Sequence, residues 1–186
     1  MEHFFEDIQG WFEEDGQKIY REAVEQAPMD TASTFVELGS WKGRSAAFMA
    51  VEIINSNKPI TLYCIDHWTS YGDPTVPYFS SDPDTSKAFD IFLTNLSKFD
   101  YVVTPMPCKS WEGAHCIGSL VDFIYIDASH EYEDVIKDLD AWLPKMAPGA
   151  TISGDDFNWP GVWRAVHEVF GLGNVERIGR CWRLKK

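Results

Sequence analysis

The chain has 186 residues, 45% of them hydrophobic and 15% aromatic, enough to bury one full core, and nothing calls for a second domain within 1–186. With 29 acidic against 16 basic side chains its formal net charge is -13, which argues against nucleic acid and anionic membrane surfaces, because phosphate is met mainly by Lys and Arg. The opening residues Met1 to Asp7 offer neither a basic region nor a long apolar stretch, so neither secretion nor membrane spanning is expected and the cytoplasm is the expected compartment.

In chain order, apolar positions at Phe4, Ile8, Trp11, Phe12, Ile19, Tyr20, Ala23 and Val24 predict an amphipathic helical region within residues 1–30, with a break at Gly16. A strand at 34–38, a helix from about 43 to 54 and a second apolar run at 60–65 ending on Asp66 make one βαβ unit. Its crossover is expected to be right-handed and its strands parallel, which places Glu37, Gly39 and Asp66 at one carboxyl edge. Residues 67–83 are long for a connection, rich in Pro and Gly, and carry Trp68, Tyr71, Tyr78 and Phe79; such a loop is expected to be a lid over an acceptor. Asp82-Pro83 reads as the start of a helix whose apolar face is Ala88, Phe89, Phe92, Leu93 and Leu96.

Further strands are predicted at 101–104, 121–126 and 150–153, and helices at 132–142 and 161–170, with Pro148-Gly149 punctuating the end of the first of these. Residues 175–178 and 181–184 suit a terminal hairpin. Strands alternating with helices along the whole chain predict a three-layer α/β fold. Cys64, Cys108, Cys116 and Cys181 lack C-x-x-C spacing and read as reduced, mostly buried thiols. The basic tail of Arg177, Arg180, Arg183, Lys185 and Lys186 reads as a solvated strand face more readily than as a binding patch.

The candidate chemistry gathers at strand ends. In Glu37-Leu38-Gly39-Ser40-Trp41-Lys42-Gly43-Arg44-Ser45 a strand opens through two glycines into a helix, where bare backbone can lie against a ligand and first-turn N–H groups are free to bind an anion. An ordinary strand-to-helix turn is the alternative, and the dinucleotide pattern G-x-G-x-x-G is missing, which weakens a nicotinamide-dependent oxidoreductase. Asp66, 27 residues beyond Gly39, stands where nucleotide-binding α/β proteins place an acid on ribose hydroxyls, a loop or capping role being the alternative. Ser110-Trp111 suits a purine ring, unless Trp111 packs into the core. Asp127 ends one predicted strand and Asp155-Asp156 another; if those strands are neighbours, three carboxylates converge and invite a hard divalent cation, unless the pair caps the next helix. His130, three residues after Asp127, is a candidate proton acceptor or simply a hydrogen-bonded loop residue.

Taken together these residues resemble the class I S-adenosylmethionine-dependent methyltransferases, and more narrowly the metal-dependent small-molecule O-methyltransferases of the catechol and macrocin (sugar) types. The resemblance implies a Rossmann-like fold with a mostly parallel seven-stranded sheet whose last strand is antiparallel. It implies S-adenosylmethionine held by Glu37, Gly39, Ser40, Gly43, Ser45, Asp66, Ser110, Trp111 and Asp127, and Mg²⁺ or another divalent cation on Asp127, Asp155 and Asp156. His130 and Asp127 would be catalytic, and the methyl acceptor a hydroxyl on a small molecule or sugar. The chain departs from the pattern at His130, where catechol enzymes have lysine, and at Ser129, where macrocin-type enzymes carry a second acid. A metal-free or N-directed methyltransferase and a non-catalytic S-adenosylmethionine-binding module remain alternatives, and a homo-oligomer is compatible with the sequence.

Overall fold

A computed structural model describes residues 1–68 and 85–184. A 3-10 turn at Phe5–Asp7 leads to α1 (Glu14–Gln26), β1 (Ser33–Leu38), α2 (Arg44–Ser56), β2 (Ile60–Asp66), α3 (Ala88–Leu96), β3 (Val103–Pro107), α4 (Gly113–Cys116), β4 (Val121–Ile126), α5 (Tyr132–Trp142), β5 (Met146–Gly154), α6 (Pro160–Phe170), β6 (Val175–Ile178) and β7 (Cys181–Leu184). The seven strands form one sheet in the order β3-β2-β1-β4-β5-β7-β6. β1 to β5 pair in parallel, and β7 runs antiparallel to both β5 and β6. This is the three-layer, Rossmann-like arrangement that the sequence predicts.

Period-two alternation along the strands sorts the two faces. Phe35, Leu62, Phe123 and Tyr125 pack with α1, α2 and α3, whereas Val36, Leu38, Ile124 and Ile126 pack with α4, α5 and α6. Strand order reverses direction between β1 and β4, and such a switch point opens a crevice at the carboxyl ends of the strands. Glu37, Asp66, Asp127 and Asp155 all reach that edge, because β1 pairs with β2 and β4, and Ile126 of β4 stands opposite Gly154 of β5.

Several boundaries differ from expectation for local reasons. The N-terminal helix does not begin near Phe4 and break at Gly16: Gly16 lies inside α1, and residues 8–13 are not helical. Phe5, Ile8 and Phe12 are buried in a segment folded against α2, with Phe5 and Phe12 edge-on to Phe48, and their spacing mimics a helical stripe. β3 begins later than 101 because the N–H groups of Val102 and Val103 are both donated to Phe99 O, which closes a turn first. Pro148-Gly149 does not end a helix; it lies within β5, where the register against β4 shifts between Val121 and Phe123. α4 was not foreseen, being only four residues long.

Of the cysteines, Cys64 and Cys181 are buried, Cys108 is intermediate and Cys116 is exposed; all four are free thiols, so burial is less general than expected. Of the expected lid, residues 69–83 lie outside the described residues, and the Asp82-Pro83 helix start with them. Trp68 belongs to the core, its ring against Phe89 and Phe92. The basic tail is not a uniform solvated face: Arg183 pairs with Glu22 and Glu176, and Arg180 turns into the carboxyl edge.

Candidate active site

The loop after β1 is shaped before any ligand arrives. Gly39 has φ 88°, and a Cβ there would coincide with the main-chain carbonyl of Asp127, so only glycine lets β1 leave the sheet this close to β4. Trp41 is also left-handed, at φ 42°, a conformation that costs a bulky residue on the order of 1–3 kcal/mol. It is held there by neighbours: its N–H donates to Asp66 Oδ2 at 2.9 Å, and Trp68 Nε1 donates to its carbonyl at 2.7 Å. Asp66 Oδ1 accepts the Trp68 N–H at 2.9 Å, so the aspartate ties together the loops that follow β1 and β2. The His67 ring nitrogen also lies 3.8 Å from Asp66 Oδ1.

Glu37 is buried below this loop, and Tyr20 of α1 donates its hydroxyl to Oε2 at 2.7 Å. Burial raises the Glu37 pKa, and the hydroxyls of Ser40, Tyr20 and Ser45 offset this only in part. Ser40 Oγ is near enough to ease the charge of Glu37, yet neither it nor Glu37 Oε1, both buried, has a hydrogen bond of good geometry. Unpartnered buried polar atoms are costly, and these two fit a ligand that brings an ammonium or hydroxyl donor to the end of β1. Gly43 faces α3, where Leu96 and Phe92 pack against it, and so shapes the loop from behind.

In front of the loop lies a cavity of about 140 Å³. Gly39, Ser40 and Ser45 line one end, and Asp127, His130, Asp155, Asp156 and Arg180 line the other. Its aromatic walls are Trp11 and Trp41, stacked at 4.9 Å, and Trp159, stacked on His130 at 4.6 Å. The walls and Arg180 were not singled out from sequence as site residues.

The acidic end is an ordered array. Asp156 has φ 55°, which turns its side chain back toward the cavity. His130 Nε2 lies 2.6 Å from Asp156 Oδ2, while Arg180 Nη2 donates to Asp156 Oδ1. Burial pushes the Asp156 pKa up, yet His130 and Arg180 outweigh it and hold the carboxyl below its usual range. Asp155 Oδ1 accepts from Arg180 Nε at 2.9 Å and from the Asp156 N–H at 2.6 Å. Asp127 is pushed well above the ordinary carboxylate range, first by burial and then by the negative charges of Asp155, Asp156 and Glu37, with Arg180 opposing.

The expected metal ligands are therefore neighbours but not equivalent. Ligand atoms of Asp127, His130 and Asp156 come within 4.8 Å of one another, while Asp155 stands outside that group, one oxygen already bonded to Arg180. Both oxygens of Asp156 are also engaged. A hard divalent ion is satisfied by one or two carboxylates with water completing its shell, so an ion on this group would have to compete with His130 and Arg180 for the oxygens of Asp156.

Ser110 and Trp111 lie elsewhere on the edge. The Ser110 carbonyl accepts from Trp142 Nε1 at 3.0 Å, and Trp111 is half-buried with the ammonium groups of Lys137 and Lys109 over its ring at 4.8 and 5.4 Å. Neither lines the cavity.

A sequence-family profile described as "Methyltransferase domain" matches residues 36–157. No curated protein matches the chain. Among solved structures, the chain is similar to apo CalS11, a TDP-rhamnose 3'-O-methyltransferase of calicheamicin biosynthesis, at TM-score 0.65 and 16% identity, covering 91% of this chain and 76% of that one. It is similar to the O-methyltransferase NovP at TM-score 0.65 and 16% identity, covering 92% of this chain and 79% of that one. It is also similar to an rRNA methylase from Streptococcus thermophilus at TM-score 0.63 and 12% identity, covering 95% and 99%. At such identities the likeness is one of fold.

Proposed function

The chain belongs to the methyltransferase-domain family and is an S-adenosylmethionine-dependent methyltransferase, and from that premise we propose that it methylates a hydroxyl on a small molecule or sugar. The observation that carries the proposal is the His130–Asp156 pair, set at 2.6 Å beside Asp127 on the wall of a small aromatic cavity. S-adenosylmethionine, when bound, supplies a methyl group already activated on a sulfonium. Glu37, Ser40 and Ser45 would hold its methionine part, Asp66 its ribose, and Ser110 with Trp111 its adenine. The unpartnered Glu37 Oε1 and Ser40 Oγ support that placement.

On the acceptor side, Asp156 orients the imidazole of His130 through Nε2 and stabilises the ring when it gains a proton. With Nε2–H donated to Asp156, Nδ1 carries the lone pair that takes the acceptor's hydroxyl proton. Trp159 fixes the plane of the ring by stacking. Trp11, exposed and backed by the buried ring of Trp41, offers a flat apolar surface that suits the C–H face of a sugar or an aromatic ring. Asp127, held protonated more readily than an ordinary carboxylate, is placed to donate to or accept from the same hydroxyl.

The net charge of -13 and the size of the cavity support a small acceptor over RNA, although the fold is shared with a protein named an rRNA methylase. A divalent cation on Asp127, His130 and Asp156 is a second reading, favoured by the 4.8 Å grouping of their ligand atoms; it would remove His130 from the role of base. The test is a screen of hydroxyl acceptors, with release of S-adenosylhomocysteine as readout and amine acceptors in parallel. Turnover confined to amines, or binding of S-adenosylmethionine with no turnover of any acceptor class, would overturn the hydroxyl-directed reading. No helix among the described residues is long and apolar enough to cross a membrane.

A further inference from the structure

Three carboxylates meeting at the ends of β4 and β5 repel one another unless positive charge is supplied, and the structure shows where that charge comes from. The Arg180 guanidinium spans the pair, with Nε on Asp155 Oδ1 at 2.9 Å and Nη2 on Asp156 Oδ1. It lies on the cavity wall, and the two carboxylates raise its pKa although burial acts to lower it.

The position of Arg180 is built rather than incidental. Its main-chain N–H donates to Asp15 Oδ2 of α1 at 3.2 Å, and its carbonyl accepts the Phe157 N–H at 2.8 Å. The preceding Gly179 has φ 57°, and a Cβ there would coincide with the Asp15 carboxylate, so glycine leaves room for the Asp15 side chain to meet the hairpin tip. Glycine at the first central position of a two-residue hairpin loop is the type II′ pattern, which leaves the second residue, Arg180, at the tip. β6 runs in the direction of β5, so this tip falls at the carboxyl edge beside Asp155.

We propose that Arg180 is the resident cation of this active site: it bridges Asp155 and Asp156, holds Asp156 by Oδ1 so that Oδ2 is turned to His130, and occupies carboxylate oxygens that a divalent ion would need. Arg180 is thus a positioning residue that acts through Asp156, and the site works without added metal. This rests on the reading of the cavity as the methyl-transfer site.

The test uses the full chain as wild type, Arg180→Ala and Arg180→Lys, titrated calorimetrically with MnCl₂ and MgCl₂ and melted with either metal or EDTA. S-adenosylhomocysteine binding is measured alongside. The wild type should show no site for either ion and one melting temperature in metal and in EDTA. Arg180→Ala should gain a metal-dependent rise of about 5 °C or more at saturating ion, because removal of the guanidinium frees Asp156 Oδ1 and leaves the aspartates without their cation. Arg180→Lys keeps the charge and should behave like the wild type. A single Mn²⁺ or Mg²⁺ site in the wild type, raising its melting temperature, overturns the proposal, as does Arg180→Ala remaining indifferent to metal. If Arg180→Ala does not fold, the wild-type titration decides alone. Failure of the wild type to bind S-adenosylhomocysteine would instead strike at the methyl-transfer reading, so the two failures are distinct.

Discussion

Asp138 gives the most quantitative handle on this fold. It lies on α5 with no exposed surface, and neither carboxylate oxygen has a hydrogen-bond partner. Burial raises its pKa to about 7; the Ser110 hydroxyl, near but not in good hydrogen-bond geometry, opposes the rise, Asp134 adds to it and Lys137 opposes it. A carboxylate whose folded-state pKa is raised binds its proton more tightly folded than unfolded, so it contributes stability below the unfolded pKa and loses it as pH rises toward the folded one. The window runs from about pH 4 to about pH 7, and roughly three pKa units correspond to about 4 kcal/mol in all. Of this, about 2 kcal/mol should be lost between about pH 5.5 and pH 8. Asp138→Asn removes the titration while keeping the shape. Urea unfolding of both proteins across that interval isolates the residue from the other acids of this chain, because only the difference in slope is read. The variant should gain on the wild type by about 2 kcal/mol as pH rises. Parallel pH profiles would refute the argument and mean that Asp138 finds partners or water when folded.

Three further outcomes follow from the site. Gly39→Val should lower the melting temperature by several degrees before any effect on cofactor binding is seen, because its branched side chain meets the Asp127 carbonyl; circular dichroism melts check this. Tyr20→Phe removes the donor to Glu37 Oε2 and should cost about 1.5–3 kcal/mol in chemical unfolding, the range for hydrogen bonds to charged groups. His130→Ala should lose turnover by about 10² or more with S-adenosylhomocysteine affinity kept, since it touches the acceptor side alone; wild-type turnover would move the base to Asp127.

The fold was legible because its signals are local and repeated. β4 and α5 fall at 121–126 and 132–142 as the apolar pattern predicts, and the terminal hairpin at 175–178 and 181–184 likewise. Where the pattern misled, apolar residues were buried by a segment that wraps rather than winds, as Phe5, Ile8 and Phe12 do, and spacing alone cannot tell the two apart. The Pro148-Gly149 pair misled for a related reason: turn residues also mark irregular strand starts, and the β4–β5 register shift lies close by.

The site was legible residue by residue but not as a circuit. Asp127, Asp155 and Asp156 were placed at one edge from strand ends alone, since neighbouring parallel strands must finish together. Which oxygens remain available is a matter of partners far away in sequence, and Arg180 is 24 residues from Asp156. Read as composition, Arg180 is one of several basic residues near the end of the chain. Read as topology, it follows a glycine at the tip of a hairpin whose first strand runs with the parallel set, so it must land beside the aspartates. That inference needs β6 to return next to β7 and β7 to pair with β5, a long-range fact that no local pattern carries. A carboxylate cluster in a sequence therefore specifies a need for positive charge without specifying its source. Here the chain itself brings a guanidinium, tied down by Asp15 and Phe157, into the place where a metal was expected.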